Sequence, residues 1–483
     1  MSTIPQSLRE FIDILEKNNQ LYRIKVSVSH ILEISEITDR IVKSKNSKGL
    51  FFENVENFKI PIAINLFGSE RNLCLAFGIN SVDELQQKTQ RLLQLLKTPP
   101  QSLWDKVKKG FEFLEISKYL PKIVSKGRCQ EVVLKGEEIN LYKFPIMKCW
   151  PEDASQYITF PIVFTKDPHT QQRNVGLYRM QVLSKDTLCM HWQRHKGGKE
   201  HSLKYKDKIP VAVAIGCSPA VSLAGALPIP DFDELIFAGL LQESPVELVK
   251  CITIPELEVP ANAEIVLEGY VDINNLVLEG PFGDHTGFYS LPEPFPVFTL
   301  TAITHRKEPI YHSIIVGKPP MEDDYLGLAI EKLTLPFIRM LLPEVTDVHF
   351  PFEGIFHNLV LVSIKKKYPG HARKVMHAIW GMGLAMLSKI IVVFDDDVNL
   401  RNYSEVVWKG LCSIDPERDF ELAEGPVDDL DFASKFPAYG SKVGIDCTKK
   451  LPEEGFTRIW PREITMSEDI KNLVTQKWRE YGF

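Results

Sequence analysis

Three short segments in the middle of the chain concentrate side chains that could bind an ion, hold a phosphate or move a proton. Residues 174–181 read NVGLYRMQ, residues 190–198 read MHWQRHKGG, and residues 278–287 read LEGPFGDHTG. Amides, imidazoles, carboxylates, an arginine and a lysine therefore occur together with glycines that let a backbone approach a ligand closely. This combination favours a catalytic or binding site over a purely structural role.

Two carboxylates, Glu279 and Asp284, flank a Gly-Pro-Phe-Gly turn in the third segment. Such a turn can bring both acids to one cavity and fix the backbone between them. Because two close carboxylates do not ionise together easily, we expect one of them to hold a proton near neutral pH and to serve as a general acid. The alternative is an Asx turn, in which Asp284 bonds its own backbone.

Oxygen and nitrogen donors in the same region suggest a metal site. Asn174, His191 and Glu247 would supply an amide oxygen, an imidazole and a carboxylate, a set that suits Mn2+ or Mg2+ better than a thiolate site would. His191 and His195 also lie four residues apart, which on a helix could bind zinc. The two glycines that follow and the missing glutamate of an HExxH motif argue against zinc, and an ordinary packed histidine is the alternative.

Lys196 precedes two glycines, and the successive N–H groups of such a turn could hold a phosphate beside the lysine ammonium. A simple hairpin turn explains the same residues equally well. In the preceding segment, a continuous strand over 175–182 would turn Tyr178 to one face and Arg179 to the other. Such a strand could separate a metal site from a substrate or flavin face.

The pattern of apolar and capping residues before residue 120 predicts a small α/β unit. Ser7 and Ser81 each begin a capping box followed by an amphipathic helical pattern, the second of which continues to Lys97. Short apolar runs at 49–52 and 60–64 between these helices predict strands.

Residues 128–318 show a different pattern, in which short β-rich runs are separated by proline and glycine. This spacing favours a barrel or sandwich rather than a parallel sheet. The predicted strands cover residues 158–164, 175–182, 211–215, 264–271 and 297–303, and one predicted helix covers 231–242.

After residue 319, strands and helices alternate, as in a βαβ arrangement. The predicted strands cover 359–365 and 390–394, and the predicted helices cover 370–387 and 403–411. An amphipathic tail over 467–481 lies beyond this unit and needs a surface to pack on, such as another subunit. The sequence thus predicts domains over residues 1–127, 128–318 and 319–460 and a helical oligomerisation tail over 461–483.

The bulk composition excludes several classes of protein. The 483 residues are 44% hydrophobic and carry a net charge of −6, so no global basic field favours nucleic acid. The first residues lack the pattern of a secretory signal, and the apolar runs are too short for a membrane span. Eight scattered cysteines without a C-x-x-C pair indicate reduced, mostly buried thiols in a cytoplasmic protein.

Two charged runs resemble binding sites but have simpler explanations. Residues 395–399 read DDDVN after an apolar strand, where metal sites often lie, yet such carboxylates commonly cap a helix or face solvent. The three lysines at 365–367 indicate a solvated face, with attraction to a membrane surface as the alternative.

The three motifs, in this order, resemble the UbiD family of reversible decarboxylases. The similarity extends along nearly the whole chain, through DDDVN at 395–399 and GSKVGID at 440–446. It is greatest to the branch that acts on 4-hydroxy-3-polyprenylbenzoate in ubiquinone synthesis, notably in HKGG at 195–198 and GDHTG at 283–287. Asp284 departs from the glutamate of the cinnamic-acid branch, which favours a phenolic or quinone-precursor substrate.

The resemblance implies an α/β multidomain fold. An N-terminal α/β domain would precede a central split β-barrel like that of flavin reductases and a C-terminal α/β domain with a terminal helix. Prenylated FMN would lie where the middle and last domains meet, with Mn2+ or Mg2+ bridging to its phosphate and K+ beside the metal. A separate flavin prenyltransferase would supply the cofactor, and the chain would form a homo-oligomer, either a hexamer or a dimer.

The resemblance also implies roles for individual residues. Arg179, Glu279 and Asp284 would form the proton relay of the family, and Asn174, His191 and Glu247 would hold the metal. The residues expected to line the cofactor are Leu177, Tyr178, Arg179, His191, Trp192, Gln193, Lys196, Gly197 and Lys442.

Loss of CO2 from an aryl acid leaves a carbanion that the ring cannot absorb, and positioned proton transfer supplies only about 10²–10⁴ in rate. An electrophilic cofactor would accept that charge while Arg179 orients the carboxylate and Asp284 protonates the ring carbon. Three competing interpretations are a dihydroxynaphthoate substrate from menaquinone synthesis, a split-barrel flavin oxidoreductase, and a zinc hydrolase built on His191 and His195.

Overall fold

A computed structural model describes residues 4–97, 117–194, 196–227 and 233–483. In these residues, three large β-sheets and one small sheet are connected by helices and loops. The strands, numbered in chain order, are β1 (Leu21–Ile24), β2 (Gly49–Phe52), β3 (Ile62–Ile64), β4 (Lys122–Ile123), β5 (Val132–Lys135), β6 (Tyr157–Ile158), β7 (Ile162–Lys166), β8 (Arg173–Leu177), β9 (Met180–Val182), β10 (Thr187–Met190), β11 (Lys208–Ile215), β12 (Glu247–Lys250), β13 (Glu258–Pro260), β14 (Ile265–Glu279), β15 (Glu293–His305), β16 (Tyr311–His312), β17 (Val345–His349), β18 (Leu359–Ile364), β19 (Ile390–Asp395), β20 (Phe420–Pro426) and β21 (Tyr439–Asp446).

Helices pack on these sheets and connect them. The α-helices span Leu8–Lys17, Glu33–Val42, Glu70–Phe77, Leu85–Lys97, Gly197–Ser202, Pro219–Ala224, Glu234–Gln242, Glu322–Leu341, His371–Trp380, Tyr403–Ser413, Pro416–Asp419 and Glu468–Gln476.

The N-terminal unit forms much as its hydrophobic pattern predicts. The Ser7 hydroxyl accepts a hydrogen bond from the Glu10 N–H at 3.3 Å, and the apolar side of that helix is buried. Ser81 instead caps a short 3-10 turn, Val82–Glu84, which leads directly into the helix Leu85–Lys97. The sheet runs β1–β2–β3–β16, so its last strand comes from beyond residue 127.

The central sheet runs β6–β9–β10–β15–β14–β11–β7–β8, with β5 added along β15. Its strand pairs are antiparallel, and β14 and β15 both extend well beyond the predicted runs. Because β6 and β8 stand at opposite ends of this order, the sheet is an open half-barrel. Its likeness to the split barrel of flavin reductases stays a prediction.

Two predicted strands of this sheet are each divided in two. The run at 158–164 breaks before Ile162, because Pro161 has no N–H to donate to a ladder. The run at 175–182 breaks at Tyr178 and Arg179, where the tyrosine ring folds back so closely that a Cβ at Gly176 would lie 2.4 Å from it. The expected alternation of faces along one strand is therefore wrong, and Arg179 lies in the break.

The C-terminal sheet runs β17–β18–β19–β21–β20, with its three middle strands parallel. The predicted βαβ arrangement is therefore confirmed. The long predicted helix over 370–387 is shorter, because Gly381 and Gly383 end the helix His371–Trp380 and only a 3-10 turn follows.

The structure also tests several smaller predictions. Seven cysteines are buried, Cys412 is exposed, and all eight are free thiols. Lys366 corrects the solvated-face interpretation of its lysine run, since its side chain is 4% exposed and pairs with Glu454 at 2.6 Å. Asp395 does act structurally, accepting a hydrogen bond from the Lys449 N–H at 2.7 Å.

The C-terminal helix Glu468–Gln476 has an exposed apolar side that includes Ile470 and Leu473. Its predicted role in oligomerisation therefore stays a prediction. In the part of the chain that the structure describes, no helix is both long enough and apolar enough to cross a bilayer.

Candidate active site

The turn between Glu279 and Asp284 is held by hydrogen bonds to its backbone. Gly280 has a φ of +98°, a conformation that side chains disfavour, and its N–H donates to the Gln181 side chain at 2.9 Å. The Gly283 N–H donates to the Asp153 carboxylate at 2.7 Å. Its Cα lies so close to Trp150 that a Cβ there would come within 2.2 Å of the indole. The two glycines thus allow a tight turn that presents both acids to the same side.

Arg179 lies between the two acids and contacts both. Its Nε and Nη2 bond Glu279 at 2.9 and 3.1 Å, its Nη1 pairs with Asp284, and its Nη2 also donates to the Ser290 hydroxyl at 3.3 Å. The guanidinium stacks over Phe282 with 4.7 Å to the ring centre. The structure therefore brings together Arg179, Glu279 and Asp284, which we call the relay cluster.

The charge of Arg179 changes the expected protonation of the relay cluster. Burial alone would raise the pKa of Glu279, but the His191 hydrogen bond and the guanidinium outweigh it and lower this pKa to about 2. Burial likewise opposes ionisation of Asp284, whose pKa is nevertheless lowered by Arg179 and His285. The expectation that one acid keeps a proton is therefore wrong for this arrangement, because a cation separates the two carboxylates.

His285 is a contact of the relay cluster that sequence reasoning left unassigned. Its backbone N–H donates to Asp284 Oδ1 at 2.8 Å, and its Nδ1 lies 2.9 Å from the same oxygen. Burial alone would lower the pKa of His285, but the bond to Asp284 and the negative charge of that residue raise it to about 9. The ring is therefore an imidazolium at neutral pH. Its position beside Asp284 in the GDHTG motif was the available signal.

His191 faces the relay cluster rather than Asn174. Its Nδ1 lies 3.2 Å from Glu279 Oε2, and its ring packs on Phe295 with 4.2 Å between ring centres. Burial and then the charge of Arg179 lower the pKa of His191, so the ring is neutral. Residues 191–193 are not helical, which removes the zinc interpretation of an i, i+4 pair; His195 lies outside the described residues.

A second group of polar side chains lies along β8. The Asn174 side chain approaches Gly197 so closely that a Cβ there would lie 2.1 Å from its Oδ1, and Asn174 Nδ2 is buried without a hydrogen-bond partner. Nearby, the Gly198 N–H donates to the Tyr178 hydroxyl at 3.0 Å. Gly197 begins the helix Gly197–Ser202, so the simple hairpin alternative for these glycines is wrong.

A carboxylate that sequence reasoning missed lies beside Asn174. Glu234 accepts a hydrogen bond from the N–H of Val175, and its Oε2 is buried and unpartnered. Burial raises the pKa of Glu234 to about 8. Burial raises the pKa of Tyr178, and the negative charge of Glu234 adds to that shift. We call Asn174, Tyr178, Gly197 and Glu234 the amide cluster.

The structure does not bring Glu247 to this place. Glu247 begins β12, is exposed, and pairs in register with Lys122 of β4. No described contact joins it to Asn174 or His191. The signal that could have selected Glu234 was its position in the first turn of a helix predicted to begin at residue 231, directly before a buried apolar run.

The remaining predicted cofactor residues lie around both clusters. Lys196 lies over the Tyr178 ring at 5.6 Å, and burial lowers the pKa of its ammonium. Trp192 is buried and its Nε1 has no partner. Gln193 accepts a hydrogen bond from the Lys196 N–H, and Leu177 ends β8.

Lys442 is buried in the C-terminal sheet, where its ammonium donates to the carbonyls of Met386 and Ser388. Burial lowers its pKa to about 8. The charge of Lys442 also reaches His357, whose pKa is lowered to about 4, chiefly by burial. Lys442 therefore belongs to the C-terminal sheet and lies near enough to His357 for its charge to act there.

The donor atoms of the amide cluster fit an anionic ligand with a hard cation. Buried atoms without partners are otherwise expensive, and here the Glu234 oxygen could bind a cation while the Trp192 and Asn174 N–H groups could bind phosphate oxygens. Among the described residues, no group of three His, Cys, Asp or Glu side chains forms a metal site by itself. A metal here would need the Asn174 amide and ligand oxygens to complete its coordination.

Three family profiles match the chain in order. The UbiD profiles, described as 3-octaprenyl-4-hydroxybenzoate carboxy-lyase, match with their N-terminal domain at residues 12–92, their Rift-related domain at 122–319 and their C-terminal domain at 324–447.

Whole-length relatives and solved structures agree with these profiles. An uncharacterized protein of Archaeoglobus fulgidus is 48% identical, with 98% of each chain covered. The closed form of vanillic acid decarboxylase from Sedimentibacter hydroxybenzoicus is 27% identical and has a TM-score of 0.86, with 99% of this chain and 98% of that chain covered. An evolved dimeric form of the UbiD-class enzyme HmfF from Pelotomaculum thermopropionicum, in complex with prFMN, is 29% identical and has a TM-score of 0.77, with 95% and 97% covered.

Proposed function

This chain belongs to the UbiD family of carboxy-lyases, and from that premise we propose that it removes CO2 from an aromatic acid without oxidation, using prenylated FMN. One observation carries the proposal: Arg179, Glu279 and Asp284 meet in one buried cluster, their side chains 10%, 1% and 8% exposed. Support also comes from the solved relatives, one of which is named for vanillic acid and another of which was solved with prFMN.

The amide cluster is the proposed site for the cofactor phosphate and its divalent cation. Asn174 and Glu234 would supply oxygen ligands to Mn2+ or Mg2+, with Glu234 in the role first predicted for Glu247. Lys196 and the Trp192 N–H would face the phosphate. His191 would line the flavin from the side of Glu279. K+ beside the divalent ion is part of the same proposal.

When bound, prenylated FMN supplies an electrophilic carbon that accepts the electron pair released with CO2. The chain itself must then bind the carboxylate and move one proton. Arg179 is suited to binding, because a planar guanidinium holds a carboxylate through two parallel hydrogen bonds. Its bidentate contact with Glu279 fixes the plane of the guanidinium before the substrate enters.

Substrate binding would also free Asp284 for proton transfer. In this structure, Nη1 of Arg179 pairs with Asp284 and keeps it ionised. A substrate carboxylate that takes over Nη1 removes that partner, and the pKa of Asp284 then rises because its burial is no longer offset. Asp284 could then accept a proton and deliver it to the ring carbon. Because the cluster is nearly closed to solvent, competing protons from water are kept away.

We further propose that the acid carries an apolar substituent, as in 4-hydroxy-3-polyprenylbenzoate, which would give 2-polyprenylphenol. Exposed apolar side chains flank the turn that carries the relay acids: Leu278 directly precedes Glu279 and is 68% exposed, while Phe288 and Leu291 follow Asp284 and are 69% and 65% exposed. An exposed apolar surface beside a site suits a lipophilic group. A dihydroxynaphthoate of menaquinone synthesis is the competing substrate.

The same surface and the tail helix support proposals about partners. A lipophilic substrate brings the protein to the surface of a membrane, and the exposed apolar side of the helix Glu468–Gln476 supports a homo-oligomer, either a hexamer or a dimer. A flavin prenyltransferase would supply the cofactor.

The test is CO2 release by protein co-expressed with a flavin prenyltransferase. Purified enzyme is incubated with 4-hydroxybenzoates bearing 3-prenyl, 3-methoxy or no substituent, and with a dihydroxynaphthoate, under anaerobic conditions. We expect the prenylated acid to have the highest kcat/KM. Asp284→Asn should retain the flavin, shown by its absorption spectrum and mass, and lose turnover.

Two results would contradict the proposal. NAD(P)H oxidation without CO2 release would select a flavin oxidoreductase, and the absence of any bound flavin would remove the cofactor. Preference for the methoxy acid would retain the decarboxylase and reject the apolar substituent.

A further inference from the structure

We propose that His285 is a positioning residue that supplies Asp284 with the proton it delivers. This inference rests on the proposed function, because it concerns how Asp284 becomes protonated in each turnover.

The contact between Asp284 and His285 has the geometry of a proton transfer. The imidazole Nδ1 lies 2.9 Å from Asp284 Oδ1, within ordinary hydrogen-bond length. The same oxygen accepts the backbone N–H of His285 at 2.8 Å, which fixes the carboxylate in the orientation that faces the imidazole. The other oxygen of Asp284 faces Arg179. Asp284 therefore has one oxygen on the substrate side and the other on the side of His285.

Acidic side chains from the C-terminal region lie near enough to His285 for their charges to act on it. The charges of Asp323 and Asp428 both act on His285. Asp323 Oδ1 is buried and has no hydrogen-bond partner, although a buried lone carboxylate is costly. Burial and then the charge of Asp324 raise the pKa of Asp323 well above its ordinary value. Negative charge in this region favours the imidazolium form of His285.

The rest of the surroundings of His285 are also accounted for. Asp324 accepts the Met321 N–H at 2.7 Å and has its pKa raised to about 6, chiefly by burial. The His357 ring lies 5.9 Å from the His285 ring and its Nε2 is 3.8 Å from Asp428. The negative charges of Asp428 and Asp284 also act on the ammonium group of Lys196.

A strained loop holds this arrangement in place. Ile355 and Phe356 have φ values of +44° and +66°, a left-handed conformation that is unusual for any side chain and especially for a β-branched one. The Phe356 ring packs 5.6 Å from the His285 ring. It also covers Gly327 so closely that a Cβ there would lie 2.5 Å from it. Strain of this kind persists where surrounding structure enforces it, often at functional sites.

The proton balance requires no additional reactant. The N–H bond at His285 Nδ1 breaks and an O–H bond forms on Asp284, leaving a neutral imidazole and a carboxylic acid. That acid then gives its proton to the ring carbon from which CO2 has left, and Asp284 becomes a carboxylate again. The neutral imidazole keeps its Nε2–H and regains a proton at Nδ1 from solvent, to which its side chain is 15% exposed. One proton enters and one C–H bond forms in each turnover.

A purely structural role makes a different prediction. An imidazolium that only held Asp284 in place could be replaced by an amide that donates the same hydrogen bond. His285→Asn provides that donor, since its Nδ2 lies near the position of Nδ1, but it cannot carry a transferable proton. The matched control is His349→Asn, because His349 is also buried and its Nδ1 lies 2.9 Å from a carboxylate, Glu331, outside the site.

The first measurement is kcat against pH for the holoenzyme and both variants. The proton-carrying form of His285 is lost as pH rises through about 9, so wild type and His349→Asn should lose turnover above that pH. His285→Asn should be about 10²-fold slower at pH 7, the lower end of what a positioned proton donor contributes, with no decline at that pH. KM and flavin content should not change. An unchanged rate and profile in His285→Asn would overturn the inference.

Asp428→Asn provides a second, graded variant. It removes a negative charge that raises the pKa of His285, so the alkaline decline should move to lower pH while the rate at pH 6 stays near that of wild type. An alkaline decline that does not move would overturn its assignment to His285.

The apo protein separates this inference from the proposed function. Nitrogen-15 NMR of histidine-labelled apo protein should show one ring, absent in His285→Asn, that titrates well above pH 7 and moves to lower pH in Asp284→Asn. A His285 ring that titrates at 6.5 or below would overturn the inference even if decarboxylation is found. If every aromatic acid fails as a substrate while this titration is seen, the coupling stands and the proposed function fails.

Discussion

The relay cluster and the amide cluster lie on the same central sheet but differ in how completely their own atoms satisfy one another. In the relay cluster, each carboxylate has a guanidinium or imidazole partner within hydrogen-bond distance. In the amide cluster, Asn174 Nδ2 and Glu234 Oε2 are buried without partners. The side chains of the relay cluster therefore satisfy one another, whereas the amide cluster lacks partners for two of its buried polar atoms.

This difference shows which part of the site is preorganised and which part needs a ligand. A buried charge is tolerated when it is paired, so the relay cluster can keep its geometry before any substrate arrives. Unpaired buried polar atoms cost free energy until a ligand occupies them. The amide cluster therefore has buried polar atoms that are free to bind a ligand. Substitutions in it should lower ligand content more than they lower the free energy of unfolding.

Arg179→Gln should have the largest effect, because it leaves Glu279 buried and without its charged partner. We expect a loss of about 3–5 kcal/mol in the free energy of unfolding, measured on apo protein by urea denaturation at pH 7. The double variant Arg179→Gln, Glu279→Gln should recover much of that loss. Asn174→Ala is the matched control in the amide cluster and should cost far less. Equal losses for Arg179 and Asn174 variants would erase the distinction between the clusters.

Glu234→Gln should weaken divalent metal binding at least about tenfold, since the loss even of an indirect metal partner has effects of this size. Glu247→Gln is the matched control, because Glu247 is an exposed carboxylate on β12. Mn2+ content after dialysis against a fixed metal concentration, measured by elemental analysis, distinguishes the two. Loss of metal in the Glu247 variant with none in the Glu234 variant would restore the original assignment from the sequence.

Gly197→Ala should lower flavin content about tenfold, at a cost on the order of 1.4 kcal/mol in binding, because a Cβ would lie 2.1 Å from Asn174 Oδ1 and displace that amide. The flavin absorbance of purified protein reports the loss. The control is Gly381→Ala, where the nearest atom lies at 3.5 Å and φ is −96°. Normal flavin content in Gly197→Ala would show that Asn174 does not need its observed position.

Acid should remove the contribution of Glu279 to the free energy of unfolding. The pKa of Glu279 is lowered from 4.5 to about 2 in the folded chain. A lowered carboxyl pKa contributes stability above the unfolded value, and this is lost as pH falls through the folded value. Glu279→Gln should therefore be less stable than wild type at pH 7 by on the order of 1–2 kcal/mol, with a difference that shrinks between pH 4.5 and 2. A difference independent of pH would mean that the carboxylate charge does not stabilise the relay cluster.

Much of the site follows from local sequence. The glycines at 280 and 283 make the turn that presents Glu279 and Asp284 together, and turn chemistry of this kind is set by a few adjacent residues. The three domains differ in hydrophobic period, and that difference predicted the N-terminal α/β unit, the β-rich middle and the C-terminal βαβ arrangement. The N-cap positions of Ser7 and Ser81 could also be predicted from the sequence.

Other features depended on contacts between distant residues. Sequence reasoning selected Glu247 and did not consider Glu234, because only the packing of the helix Glu234–Gln242 against β8 places Glu234 beside Asn174. The predicted protonation of the relay acids was wrong for the same reason. Arg179 lies 100 residues from Glu279 in sequence, and the break in the strand that inserts it between the acids is a tertiary feature.

The sequence by itself therefore determined which chemical groups are available, where the turns fall and to which family the chain belongs. Only the tertiary structure decided which charges are neighbours, and with that which acids ionise and where buried atoms remain unpartnered. The physical reason is that electrostatic interactions depend on distance and burial in space, which hydrophobic period and turn propensity do not encode.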